Sequence, residues 1–177
     1  MLRVVIDTST LVSFALTAGD ITRQIIGAWR AEEFTLLTTP ATRDELRRVL
    51  MKPKILARSQ SALNWLSAAI DQFSTHLPGD LTVSGVCRDP KDDIFLACAA
   101  EGMAHYLISS DRDLLVIDKY QGTCIVNPGE FLIALRLTRL TVPQIKRAYS
   151  EETLRTTLAS LCLDASLRRK VEEALSS

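Results

Sequence analysis

Four short apolar runs, LRVVI from residue 2, FTLLT from residue 34, AHYLISS from residue 104 and TCIV from residue 123, each lead into a segment of helical character. Their β-branched and aromatic content suits strands. Strands separated by helices cannot pair as hairpins, so this order demands a parallel sheet covered on both faces. Right-handed crossovers then bring the carboxyl ends of the strands to one edge. Ligands of such sheets bind along that edge, near the point where the strand order reverses.

Local chemistry marks the helices between the runs. TST after the first run offers turn and cap groups before LVSFALTAG, a helix closed by Gly19, and ITRQIIGAWRAEE continues as an amphipathic helix. Thr39 can cap the next helix with Pro40 at its first position, where a missing N–H costs nothing. Leu46, Val49 and Leu50 then repeat at helical spacing. SQSALNWLSAAIDQFSTHL is a further helix stopped by Pro78, Gly79 and Asp80, LTVSGV reads as a short edge strand, and Asn127 with Pro128 starts GEFLIALRL. Trp29 and Trp65, at helical spacing from other apolar residues, read as core and not as base-stacking platforms.

From residue 138 the chain becomes polar, charged and free of strand-like runs. This divides it into a main unit, 1–137, and a helical extension, 138–177. Ser150 and Asp164 are cap candidates in the extension, and Leu161, Leu163, Leu167, Val171 and Leu175 supply its apolar contacts. A charged helical pair cannot bury those residues alone. Packing on the core or self-association follows, and a homo-oligomer is the expected state.

Charge and cysteine usage narrow the functional classes. Lys plus Arg equals Asp plus Glu at 21 each, so there is no global basic field and any nucleic-acid contact must use a local patch. Cys87, Cys98, Cys124 and Cys162 are widely spaced with no CxxC, which favours reduced thiols over disulfides or zinc. Asp7 interrupts any signal-peptide core, and no apolar run approaches the ~20 residues of a membrane span. These features point to a soluble cytoplasmic protein.

Four acids occupy positions that the topology brings to one edge. Asp7 and Asp111 each follow an apolar run, while Glu45 and Asp93 sit in the first turns of helices. Carboxylates so crowded repel one another unless protons or a cation intervene. Oxygen-only ligands select magnesium or manganese, and such an ion can activate water and stabilise charge on a phosphodiester. Each acid also has a plain structural reading. Asp7 can be a turn or cap residue, and Glu45 favours the helix dipole by about 0.3 to 1 kcal/mol. Asp111 can cap a short helix with Asp113 in its first turn. In CRDPKDDIFLACAA, Asp89 reads as an N-cap, with Pro90 at N1 and Asp92 at N3. Asp93 is left over, on a face shared with Leu96, Ala97 and Ala100. Nearby, Arg43, Arg47, Arg48, Lys52, Lys54 and Arg58 form either a phosphate-holding patch or a solvated helix face, with Arg112 a sharper candidate for a phosphate contact.

The blocks VVIDTSTLVSFAL, LLTTPATRDELRRVL, CRDPKDDIFLACAAEGMAHYLISSDRDLL and IVNPGEFL resemble the PIN-domain family, over roughly residues 2 to 135. The chain looks most like small prokaryotic members described as toxin components of toxin–antitoxin systems. The resemblance implies a three-layer α/β/α sandwich with a central parallel sheet, and a Mg2+- or Mn2+-dependent ribonuclease that cuts single-stranded RNA. It implies an antitoxin protein as partner, and RNA maturation or DNA processing as the alternative setting. A cation-binding assembly module without catalysis is the non-enzymatic alternative. The family's acids fall on Asp7, Glu45, Asp93 and Asp111, with Asp113 a further acid, and Ser9, Ser109 and Ser110 orient ligands or water. If the substrate is RNA, Arg43, Arg47, Lys52 and Arg112 are the candidate phosphate contacts from that patch and its neighbour. The extension has no counterpart in the family pattern.

Overall fold

The computed structural model of the 177-residue chain describes residues 1–17 and 19–176. Ala18, in the stretch expected to close the first helix, and Ser177, at the end of the expected extension, lie outside the described residues. β1 (Leu2–Ile6) leads into α1 (Thr8–Leu16) and α2 (Asp20–Arg30). β2 (Phe34–Thr38) leads into α3 (Pro40–Leu50), α4 (Pro53–Leu56) and α5 (Gln60–Phe73). β3 (Thr75–His76) precedes an irregular segment and α6 (Asp93–Glu101), and β4 (Tyr106–Ile108) precedes α7 (Arg112–Leu115). β5 (Lys119–Tyr120) and β6 (Thr123–Val126) are followed by α8 (Pro128–Arg139), α9 (Val142–Ala148), α10 (Glu151–Ser160) and α11 (Ala165–Ser176).

The strands form one sheet in the order β3-β2-β1-β4-β6-β5, parallel throughout except for β5, which runs antiparallel to β6. The order reverses between β1 and β4, the two central strands. Successive residues alternate between two cores, as the pleat requires. Val4, Ile6, Leu36, Tyr106, Ile108, Cys124 and Val126 face a large cluster, and Val5, Leu37, Leu107 and Ile125 face a smaller one. Residues of α1, α2, α3, α5 and α8 fill the first, while α6 and α7 supply the helical side of the second. This is a three-layer α/β/α sandwich, mostly parallel, with helices added at the carboxyl end of the chain.

Local caps explain most helix starts. Thr39 accepts the Thr42 N–H with Pro40 at N1, and Asn127 forms a capping box with Glu130. Several expected boundaries differ. Gly19 does not close the first helix: α1 ends at Leu16, where Thr17 bonds the Ser13 carbonyl, and Gly19 is the N-cap of α2. The helix expected to run to Pro78 stops at Phe73, because residues 75–76 leave to pair with β2. LTVSGV forms no strand, and the sheet edges are the two-residue strands β3 and β5. Trp29 is core, but Trp65 is 40% exposed.

The extension packs into the large core through Ile145, Leu154, Leu163, Leu167, Val171 and Ala174. The boundary drawn at residue 137 falls inside α8, whose last carbonyls at Leu137 and Thr138 accept from Lys170 Nζ at 3.2 and 3.0 Å. Asp164, buried, accepts the Tyr106 hydroxyl at 3.1 Å and caps α11 through the N–H groups of Ser166 and Leu167. Burial holds the Tyr106 phenol well above its ordinary range. Cys162, expected to be a free thiol, forms a disulfide with Cys124 of β6, with Cα atoms 5.5 Å apart. Tyr106 and Cys124 are register partners near the amino ends of their strands, so the extension is fastened at the end opposite the acids.

The crosslink closes a span of 38 residues, which by loop entropy contributes about 3–4 kcal/mol. Non-reducing mass spectrometry should find the chain two hydrogens lighter than after reduction. Dithiothreitol, or Cys162→Ser, should lower the melting midpoint by several degrees. Full alkylation of four thiols in the native, unreduced protein would contradict the pairing.

Candidate active site

Asp7 leaves the carboxyl end of β1 and Asp111 lies three residues beyond β4, on either side of the point where the strand order reverses. Asp7 is 3% exposed and caps α1. Its Oδ1 accepts from the Thr10 N–H at 2.6 Å and the Ser9 hydroxyl at 3.0 Å, and its Oδ2 accepts from the Ser109 hydroxyl. Ser109, wholly buried, in turn accepts the Asp111 N–H at 2.9 Å. Ser110 donates its N–H to Thr10 Oγ1 at 3.0 Å. The two loops are thus sewn together by hydroxyls, and a buried carboxylate is solvated by fixed donors in place of water. Asp111 is exposed and caps α7, accepting the Asp113 N–H at 2.8 Å.

The third acid, Asp93, is engaged by the segment that precedes its helix, and the helix cap expected at Asp89 does not form. Pro90 sits in a turn, with the Asp92 N–H on the Asp89 carbonyl and the Lys91 N–H on Asp89 Oδ1. α6 therefore begins three residues later than a cap at Asp89 would place it, and Asp93 is its first residue. The Asp93 carboxylate, 2% exposed, accepts the Gly85 N–H at 2.6 Å and the Cys87 N–H at 2.8 Å. Each of its oxygens thereby accepts one backbone N–H of the segment before the helix. Gly85 has φ +73°, a conformation that a side chain would strain. Asp92, one position earlier, lies among the other acids. Partial burial first, and then the charges of Asp111, Asp89, Asp7 and Asp113, push its pKa up to about 6. The Cys87 thiol lies 3.9 Å from Asp92 Oδ2, and burial raises its pKa as well.

Glu45 lies in the second turn of α3 and is ion-paired with Arg48; it is not among the charges acting on Asp92. Asp113 pairs with Arg88, a residue that the sequence reading left unassigned. Of the expected phosphate contacts, Arg47 reaches Asp44 at 3.2 Å and Asp71 at 3.5 Å, which directs it toward α5. Arg43 Nε is buried without a partner and lines a small cavity with Thr8, whose hydroxyl is likewise unpartnered. Lys52 and Arg112 are exposed.

Among the described residues no three His, Cys, Asp or Glu side chains stand close enough together to hold a metal ion as they are placed. The donor chemistry nevertheless fits a hard divalent cation: the acids here offer oxygen only, and burial together with their mutual repulsion raises the pKa of Asp92, which a cation would offset. The site is an open sheet edge. A surface groove between Trp29, Phe34 and Phe73 lies away from it.

Two acids in succession at a helix start point about 100° apart, so one of them faces the edge and the other the preceding loop. The pair Asp92–Asp93 announces that division, and the direction of the loop decides which acid goes where. A sequence model of the PIN domain matches residues 3–113. No curated protein matches the chain.

The two acids should respond oppositely to neutralisation in metal-free buffer. Asp93→Asn loses an acceptor for a buried N–H and should cost about 1.5–3 kcal/mol in urea unfolding. Asp92→Asn removes repulsion and should leave stability at neutral pH unchanged or higher. Because the folded-state pKa of Asp92 is raised, the folded state binds the extra proton between about 4 and about 6, and stability falls as pH rises through that window. Asp92→Asn should flatten this fall; a steeper fall, or equal destabilisation by the two variants, would refute the assignment.

Proposed function

The chain belongs to the PIN-domain family, a nuclease family, and from that premise we propose that it is a metal-dependent endoribonuclease that cuts single-stranded RNA as the toxin of a toxin–antitoxin pair. The observation that carries the reading is the placement of Asp7 and Asp111 where the strand order reverses, tied together through Ser109, with the partly buried Asp92 near enough to feel the charge of both.

In this reading Asp7, Asp92 and Asp111 hold Mg2+ or Mn2+, and Glu45 joins them by leaving Arg48. Asp93 is replaced as a ligand by Asp92 and acts through the loop that it fastens. Bound there, the ion would supply the charge that activates water and offsets charge growing on the phosphodiester. The chain's own residues provide the fixed frame. Ser9, Thr10 and Ser109 hold Asp7 in one orientation, and the Ser109 hydroxyl ties the Asp111 backbone to the same carboxylate. Asp111, on the exposed side, meets the substrate, and Asp113 stands behind it paired with Arg88. Lys52 and Arg112 offer phosphate contacts, and Arg43 acts from beneath the edge. An open edge suits a polymer passing across it, and the absence of a global basic field leaves binding to these few cations. Residues 138–176 brace the nuclease unit from the far end of the sheet, and the antitoxin is proposed as the partner that covers the acids.

Purified protein should cleave labelled single-stranded RNA with Mg2+ or Mn2+ and stop on chelation. Asp7→Asn and Asp92→Asn should each reduce the rate by at least roughly 100-fold, the upper range for losing even an outer partner of a metal ligand. Asp93→Asn should regain activity as the temperature is lowered and its fold recovers. Cleavage that survives in Asp92→Asn, or that ignores chelation, would overturn the reading.

A further inference from the structure

The irregular segment between β3 and α6 is carried by carboxylates at both ends of α6. Glu101, its last residue, accepts the N–H groups of Gly79 at 2.8 Å and Leu81 at 3.1 Å. Asp93, its first, accepts those of Gly85 and Cys87. The segment therefore follows α6 as a rigid attachment, and it carries Arg88 directly after the pinned Cys87. The guanidinium of Arg88 reaches across to Asp113 in a two-pronged pairing, Nε to Oδ2 at 3.0 Å and Nη2 to Oδ1 at 2.7 Å. The Arg88 side chain is 84% exposed and that of Asp113 only 17%.

We propose that Arg88 is a phosphate-gripping residue of the candidate site, which rests on Asp113 when no strand is bound and exchanges that carboxylate for a backbone phosphate when a nucleic acid enters. The inference rests on the nuclease reading and assigns a substrate contact that the expected patch did not contain. A guanidinium fork fits carboxylate and phosphate alike. The Arg88 end of the pair lies in solvent, where its charge is readily rehydrated or handed to a phosphate, while Asp113, mostly covered, stays in place. The backbone beneath the side chain does not have the same freedom, because the Cys87 N–H is fixed on the buried Asp93. A fixed base with a free head is the arrangement that grips a moving ligand. The competing cations are engaged differently: Arg43 has a buried Nε, and Arg47 is drawn toward Asp44 and Asp71. Asp113 is also one of the charges acting on Asp92, so Arg88 stands at the rim of the acids and not at a distance from them. In this scheme Asp93 is a positioning residue, acting on the substrate only through the loop it pins.

The test uses the full chain and a fluorescent single-stranded RNA oligonucleotide in EDTA, so that binding is read without cleavage, across a series of salt concentrations. Arg88→Ala should raise Kd several-fold and flatten the dependence of log K on log salt by about 0.7, one phosphate contact on a single strand. Arg88→Lys should restore the slope and only part of the affinity, since a point charge meets the phosphate without the fork. Asp113→Asn should tighten binding more in the presence of Arg88 than in the Arg88→Ala background, because it releases the guanidinium as well as removing a negative charge. A purely structural pair would instead weaken binding equally in Arg88→Ala and Asp113→Asn and leave the slope unchanged, and that result overturns the proposal while wild-type binding leaves the nuclease reading standing. Should the wild-type protein bind no strand at any salt, both fall together.

Discussion

Repulsion among carboxylates that the fold delivers to one edge is the constraint around which the rest of the structure is arranged. A parallel sheet sends the ends of β1 and β4 to the same place, so Asp7 and Asp111 meet there whatever their side chains prefer. The chain answers the resulting electrostatic problem differently at each acid. Asp7 is buried and receives three donors from Ser9, Thr10 and Ser109. Asp111 stays in solvent. Asp92 is half-buried without comparable donors, and its pKa rises to about 6. The unrelieved charge is thus concentrated on one side chain, where a cation would gain most by binding.

That concentration weakens the edge, and the opposite end of the sheet is correspondingly reinforced. Tyr106 and Cys124, adjacent in register near the amino ends of β4 and β6, take the Asp164 hydrogen bonds and the disulfide to Cys162. The added helices extend the large core beneath them. Stability is supplied far from the acids, which leaves the edge free to keep a strained charge distribution, as functional sites commonly do. Asp93 belongs to this supporting scaffold too, since its carboxylate organises the loop that delivers Arg88.

How much of this was legible in the sequence depends on whether the cause was local. Thr39–Pro40 and Asn127–Pro128 gave the starts of α3 and α8 correctly because the cap and the helix lie within four residues. The alternation of apolar runs and helices gave the parallel sheet for the same reason. β3 and β5 escaped notice because two-residue strands are made by their neighbours in the sheet and not by their own propensity. The Cys124–Cys162 pairing, 38 residues apart, had no local signature. At Asp92 and Asp93 two acids stand in succession, and which of them the preceding loop engages depends on where the chain from Gly85 to Cys87 runs. Arg88 was overlooked for the same reason: its partner, Asp113, is 25 positions away.

The central claim, that the acids of the sheet edge converge on a divalent cation with Asp92 and not Asp93 among them, is tested most directly by paramagnetic broadening. Substoichiometric Mn2+ titrated into isotope-labelled protein should first erase the amide signals of residues 7–10, 92 and 109–113, and Asp92→Asn should weaken the effect while Asp93→Asn, where folded, should preserve it. Broadening centred elsewhere, or a loss of the effect in Asp93→Asn but not in Asp92→Asn, would contradict the account.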